Sequence, residues 1–380
     1  MDCPPRTDDP SPNHHVFPFP PFPPFPSLPG YWTPETHHLS GAYDWHDYSE
    51  CDDHSHGAGG LPVWLPASGY IAVDQGGDSG TGEIALMVLD FLVATNDTQR
   101  FLRYYPVAAA VADYFSQHYA GRFEGRAVVW PSQVLEAIWC WYDSGAKNFS
   151  ANCCQDDTPT VSGMIAVFEK LAQLAALPGS PVTPEQRGRW AAFSAIMPQI
   201  AVNATTNTMR FARVEAGGAY IPSIGEGAEL YPMHPHRVFT RGRQVASGQD
   251  LSLALSTFEK SLWTNPETNS LWNTGWAYVV NAAALLGLTG KAAIGVLDRA
   301  RTGPAAGFRF PGFAPAMQDA GPSADHFANM ARALQEMLLQ SGDDGLVDTS
   351  VVLFPAWPCE WDASAQALNT SVPRTPSTPH

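Results

Sequence analysis

Residues 84–92 read Ile-Ala-Leu-Met-Val-Leu-Asp-Phe-Leu. Within them Ile84, Met87, Val88, Phe91 and Leu92 fall at i, i+3, i+4, i+7 and i+8. That spacing lines one stripe of an α-helix and does not fit the alternation of a half-buried strand. The same spacing recurs along the chain. It appears in Leu102, Tyr105, Ala109, Ala112 and Phe115, and in Met164, Val167, Phe168, Leu171 and Ala175. It returns in Leu251, Ala254, Leu255, Phe258 and Leu262, and in Val279, Ala282, Ala283 and Leu286, closed by Gly287. The last stripe is Phe327, Met330, Ala331, Leu334 and Leu338. Thr183-Pro184-Glu185-Gln186 is a capping box with proline at the first helical position, so a helix starts there. Strand alternation is nearly absent, and only the apolar run Val351 to Phe354 reads as a strand.

These stripes predict an all-α class of about ten helices joined by long aromatic loops. Helical hairpins stacked in series close into a toroid or extend into a solenoid. No repeat of roughly 30–45 residues is visible, which disfavours an ordinary solenoid. A toroid gathers its loops at one end, where a cleft can form.

Composition limits the function classes. The chain has 380 residues, 44% of them hydrophobic, enough for a sizeable core. Its net charge is −16, which argues against nucleic acid and anionic membrane as partners, because both require basic surface. No run of 18 apolar residues occurs, so no membrane insertion is expected. Twelve Trp residues suit a wet cleft in which flat rings cover a sugar. The six Cys are too few and too spread for a small disulfide scaffold, although one or two bridges fit.

Residues 1–30 hold the run Val16 to Pro29, VFPFPPFPPFPSLP, and read as a disordered Pro-rich segment or, less simply, a ligand for a proline-binding module. The stretch Asp44 to His56 carries five acids with His46, His54 and His56. It reads as a solvated loop rather than a metal site, because its spacing matches no compact ligand set. No phosphate-cradling Gly loop, GxSxG or HExxH is present, and no cofactor or metal is called for. Sequons occur at Asn96, Asn148, Asn203 and Asn369, while Met1 to Pro5 opens no signal peptide.

Three segments can carry chemistry. Trp130-Pro131-Ser132-Gln133-Val134-Leu135-Glu136 precedes Trp139, Trp141 and Tyr142. Glu136 reads either as a carboxyl raised among aromatic rings, as a general acid requires, or as a helix-start Glu. Ser323-Ala324-Asp325-His326 opens the last helix. Asp325 reads either as its N-cap or as a carboxylate facing a cleft. Glu229 to Arg237 mixes Tyr231, His234, His236 and Arg237 and offers donors and acceptors to a polyhydroxylated ligand, or forms a polar surface loop.

Taken in order, these segments resemble the catalytic domain of glycoside hydrolase family 95 and its six-hairpin relatives. The stretch ending in Glu136 is similar to the family's Pro-Ser-x-x-x-Glu, whose Glu is the general acid. Phe327 to Gln340 is similar to its last barrel helix, and Asp325 stands eleven residues before Glu336, where the family has its catalytic Asp. Glu229 to Arg237 resembles its Tyr- and His-containing loop. Thr274-Gly275-Trp276, Val352 to Pro358 and Tyr31-Trp32-Thr33-Pro34-Glu35 resemble three further segments. Coverage is roughly residues 31–365.

The resemblance implies an (α/α)6 barrel over residues 31–345, followed by a short strand segment and tail over 346–380. It implies an inverting glycoside hydrolase acting on an α-linked fucose- or galactose-type sugar, with a carbohydrate as partner. Glu136 would be the acid and Asp325 the base, about 6.5–9.5 Å apart to admit a water. Trp32, Trp130, Trp139, Tyr231, His234, His236, Arg237, Trp276 and His326 would bind substrate. The chain departs from the family in two respects. The Asn pair that orients the family's water is replaced by the Pro/Phe run Phe22 to Pro29, and about ten helices stand where a barrel needs twelve. We therefore expect a chain whose first part has been lost or replaced, with secretion favoured if so. One alternative is a carbohydrate-binding pseudoenzyme on the same barrel. Another is phosphorolysis or lyase chemistry, with phosphate held by His234, His236 and Arg237.

Overall fold

The computed structural model describes residues 78–120, 125–130, 132, 134, 142–143, 148–149, 153–214, 227–262, 264, 278–301, 324–341, 351–359 and 361. Among these, nine α-helices dominate, and the strands are two or three residues long. The helical class expected from the stripes is what the structure has.

Helices α1 (Asp78–Thr95), α2 (Thr98–His118), α3 (Thr158–Ala176) and α4 (Pro184–Ser194) form one packed group. Each start has a local cause. Asp97 accepts from Arg100 N ahead of α2, and Asp157 accepts from Thr160 N ahead of α3. Thr183 and Gln186 complete the capping box of α4 that the sequence predicts. The core of this group is built from large side chains, among them Phe101, Phe115, Tyr119, Leu89, Met164, Leu171 and Phe193.

The second group comprises α5 (Arg241–Ser247), α6 (Ser252–Lys260), α7 (Val279–Leu285), α8 (Thr289–Arg301) and α9 (Ala324–Leu338). Its core is rich in alanine: Ala254, Ala282, Ala283, Ala284, Ala292, Ala293 and Ala333 are all buried. Gly295 of α8 faces Val280 of α7. A Cβ built there would come within 2.4 Å of Val280 Cγ2, so only glycine permits this approach. Gly287 ends the α7 segment with φ +75°, as a helix stop requires.

In several stripes single members are exposed while the rest face a core. Val88, Phe91 and Leu92 pack against the first core, Tyr105, Ala109, Ala112 and Phe115 are buried in it, and Met330 and Leu334 pack against the second. In α1 the buried residues are Ala85, Leu86 and Leu89, whereas Met87 is 70% exposed. In α2 Leu102 is exposed and Phe101 takes its place beside Tyr105, Ala108, Ala112 and Phe115. In α9 Phe327 and Leu338 are exposed, and the buried row is Ala333, Glu336 and Met337. Leu262 lies beyond the end of α6 and is exposed. The Met164 and Val279 stripes face the core as expected.

Four two-stranded antiparallel ribbons edge the helices. β1 (Tyr142–Asp143) pairs with β2 (Asn148–Phe149), β3 (Gln155–Asp157) with β6 (Ala212–Val214), and β4 (Val202–Asn203) with β5 (Thr208–Met209). β7 (Leu339–Ser341) pairs with β8 (Val351–Leu353), which is the strand expected in the Val351 run. Phe239 and Ile200 pack against both cores, and the loop 227–240 runs along this seam. Among the described residues no helix is long and apolar enough to cross a membrane.

Candidate functional site

The seam loop is a tightly self-bonded unit. A 3-10 turn at Ala228–Leu230 leads into successive turns, with Met233 N and His234 N donating to Leu230 O, His236 N to Tyr231 O, and Arg237 N to Met233 O. The His234–Pro235 peptide is cis. Leu230 and Met233 anchor the loop in the second core, and Val238 anchors it in the first. Its polar side chains are thereby aimed at three different helices.

His236 faces α3. Its Nδ1 lies 2.7 Å from Ser162 Oγ, and Ser162 itself donates to Thr158 O at 2.7 Å. That pattern assigns the imidazole hydrogen to Nδ1 and leaves Nε2, which is buried, without a hydrogen-bond partner. Glu83 Oε1 stands 3.8 Å from Nε2, beyond hydrogen-bonding distance. Gly163 gives the ring its space: a Cβ there would sit 3.2 Å from Nε2.

His234 faces α7. Asn281 Nδ2 lies 3.3 Å from His234 Nε2 and donates to Asn329 Oδ1 of α9 at 2.9 Å. Asn281 is fully buried within an otherwise apolar helix. His234 Nδ1 and Asn281 Oδ1 are both buried without a partner. Buried polar groups are nearly always satisfied, so two open positions on one chain of amides and imidazole mark a place for a polar ligand or water. Tyr278 lies beside His234 with ring centroids 5.8 Å apart, and Tyr231 packs edge-on to both Tyr278 and His236.

Arg237 faces α9. Its Nη1 donates to Glu336 Oε1, which also accepts from Arg332 Nε at 2.7 Å. Arg237 has φ +55°, a conformation this anchoring sustains. Burial drives both imidazoles down to about 3; for His234 the nearby Arg332, Arg237 and His236 act in the same direction. Both are neutral at pH 7. Glu229, in the same loop, accepts from Ser261 Oγ at 2.5 Å, and burial pushes its carboxyl up to about 7.

A second polar cluster adjoins α3. Ser132 pairs with Cys154 through both backbone bonds and donates its hydroxyl to Asp157 Oδ2. Burial pushes Asp157 up to about 7. Asp156 accepts from Val129 N at 2.9 Å. Trp130 and Val134 are thus held beside the start of α3, with Glu136 two residues further along the chain.

Trp32, Glu136, Trp139 and Trp276 lie outside the described residues, as do the Pro-rich segment and the stretch Asp44 to His56. Asp325 and His326 are the second and third residues of α9, so Asp325 is not its N-cap. Position 325 stands one helical turn before Asn329 on the same i, i+4 row. Trp130 is half-buried. Sequence reasoning missed Asn281 and Asn329; the signal was a lone amide inside the apolar run Val279–Leu286. The three residues of the expected anion cradle each have a partner on a different helix: His236 with Ser162, His234 with Asn281, and Arg237 with Glu336.

Tyr278 donates its hydroxyl to Gly227 O at 2.9 Å. Among the described residues, the imidazole and amide atoms of this cluster left without a partner are therefore His234 Nδ1, His236 Nε2 and Asn281 Oδ1, all uncharged at pH 7. A pocket of about 170 Å³ lies elsewhere, between α3 and α4, and its lining is mostly apolar. No family model matches the chain, and no curated protein matches it in sequence.

Proposed function

We propose that the chain is a carbohydrate-active enzyme of the six-hairpin type, hydrolysing an α-linked fucose- or galactose-type sugar with inversion. The observation that carries this reading is the chain His234–Asn281–Asn329. It joins the seam loop to α9 one turn from position 325, the candidate base. The order of the sequence motifs supports the same assignment. In this reading Glu136 protonates the leaving oxygen and Asp325 activates water from the opposite face. The Asn pair expected before the Tyr-Trp segment is replaced by the Phe22 to Pro29 run. In this reading Asn281 and Asn329 help hold that water instead, and the neutral His234 offers Nδ1–H to a sugar hydroxyl. The toroid is part of the same proposal.

The test is release of free sugar by the full chain from α-fucosylated and α-galactosylated oligosaccharides, with the anomer read by NMR before mutarotation. Inverted product is expected. Glu136→Gln and Asp325→Asn should each lower turnover by about 10²–10⁴-fold, the usual contribution of a general acid or base. Retained configuration, or unchanged turnover in either variant, contradicts the assignment. Sugar binding without turnover by the unaltered chain marks the pseudoenzyme.

A further inference from the structure

Two of the four sequons lie wholly among the described residues, and they differ in geometry. Asn96 sits between α1 and α2 with φ +52°. Its carbonyl accepts from Thr98 N, and Thr98 is already the first residue of α2. The intervening residue is Asp97, whose carboxylate caps that helix. A glycan donor carries a pyrophosphate, so an acidic residue inside the acceptor triplet repels it.

Asn203 presents the opposite case. It ends β4 at the tip of the β4–β5 hairpin, and residues 202 to 207 are all exposed. Its Oδ1 accepts from Thr205 N at 3.0 Å and Thr206 N at 3.4 Å, an Asx turn that folds the triplet on itself. Both bonds use Oδ1 and neither uses Nδ2, the atom a glycan is joined to. The intervening residue is Ala204, which is small and uncharged. The back of the hairpin is fixed: Lys260 Nζ donates to Thr206 O at 2.6 Å, and Met209 N donates to Thr257 Oγ1 at 2.8 Å. A glycan at the tip therefore disturbs no buried contact.

A separate observation concerns the compartment. Cys153 is disulfide-bonded. Disulfides persist in oxidising compartments, and the secretory pathway is one of them.

We infer that Asn203 is an N-glycosylation site, used in preference to Asn96 during passage through the secretory pathway. The co-reactant is a lipid-linked oligosaccharide pyrophosphate. Nδ2 of Asn203 attacks the anomeric carbon of the reducing-end sugar and the carbon–oxygen bond to pyrophosphate breaks. The lipid pyrophosphate leaves with the electron pair, and the amide gives one proton to the transferase's base.

The inference does not depend on the glycosidase reading, and its readout is occupancy rather than activity. The full chain would be expressed behind a cleavable secretory leader in cultured animal cells. Occupancy at each sequon would then be read by peptide mass spectrometry in the combined cell and medium pools. The expected result is glycan on Asn203 in most molecules and on Asn96 in few. Thr205→Ala should abolish the Asn203 glycan, and Thr205→Ser should keep it, which separates the acceptor role of Thr205 from any effect on folding. Recovery of the Asn203 peptide unmodified, or occupancy at Asn96 equal to that at Asn203, overturns the inference.

Discussion

The two helix groups solve packing differently. The α1–α4 group fills its core with Phe101, Phe115, Tyr119, Phe168 and Phe193, so its helices are spaced by rings. The α6–α9 group mixes a larger share of alanine with Leu251, Phe258, Val280 and Met337, and Gly295 lets α8 approach α7 closely. Asn281 of α7 reaches Asn329 of α9 at 2.9 Å, and Gln340 Nε2 of strand β7 reaches Ala284 O of α7 at 2.9 Å. The ring-filled group supplies stability through buried area. The second group also sets Asn281 against Asn329 between its helices, and the seam loop is fastened to both groups.

That contrast can be broken from either side. The largest effects should come from single removals in each core. Phe115→Ala leaves a ring-sized cavity in the first group and should cost about 3–5 kcal/mol, measured by denaturant unfolding. Glu336→Ala removes the carboxylate that Arg237 and Arg332 share and should cost up to about 3–5 kcal/mol, because a buried ion pair is broken. If Glu336→Ala costs no more than a surface change, the loop is not fastened as described. Gly295→Ala forces a methyl against Val280 and should cost about 1–3 kcal/mol, whereas Gly290→Ala, with open space around it, should not.

The pH dependence sharpens the comparison further. Glu229 titrates near 4.5 when unfolded and is pushed up to about 7 when folded. Between those values the folded chain holds a proton that the unfolded chain releases, so this group's contribution falls as pH rises through the window. Glu229→Gln keeps the shape of the protonated form. It should leave stability near pH 4 unchanged and raise it at pH 8 by about 1–3 kcal/mol. His234 and His236 act in the opposite sense. Their folded values are lowered to about 3, so their contribution is complete above about 6.5 and lost as pH falls toward 3. Thermal unfolding from pH 3 to pH 8 separates the two contributions. The smallest effect should be Thr183→Ala, which removes the α4 cap at an exposed site and should cost about 1 kcal/mol.

Helix positions were largely legible in the sequence, but the buried faces were less so. The expected stripes follow helical spacing through large and small apolar residues alike and include Met87, Leu102 and Phe327. The structure exposes these three and buries Ala85, Leu86 and Leu89 in α1, Phe101 in α2, and Ala333 and Met337 in α9, because the covered face is set by the neighbouring helices and not by side-chain size alone. Capping was legible at Thr183 because the two halves of the box are three residues apart. The partnership of Arg237 with Glu336 was not, since 99 residues separate them and neither type is usually buried. The seam loop was legible as a concentration of His, Tyr and Arg, but its division among three helices follows only from the two cores that grip it. Asn281 carried a readable signal, a single amide in an apolar helix, whereas its partner Asn329 is an ordinary residue on an amphipathic one.

The central claim is that the seam loop and the start of α9 belong to one inverting site with Glu136. The most direct measurement is the separation of the Glu136 and Asp325 carboxyls in a crystal structure of the full chain. The account predicts that both face one cleft about 6.5–9.5 Å apart, with His234 and Asn281 lining it. A separation beyond about 12 Å, or either carboxyl turned into a core, exceeds what that chemistry spans and contradicts the account.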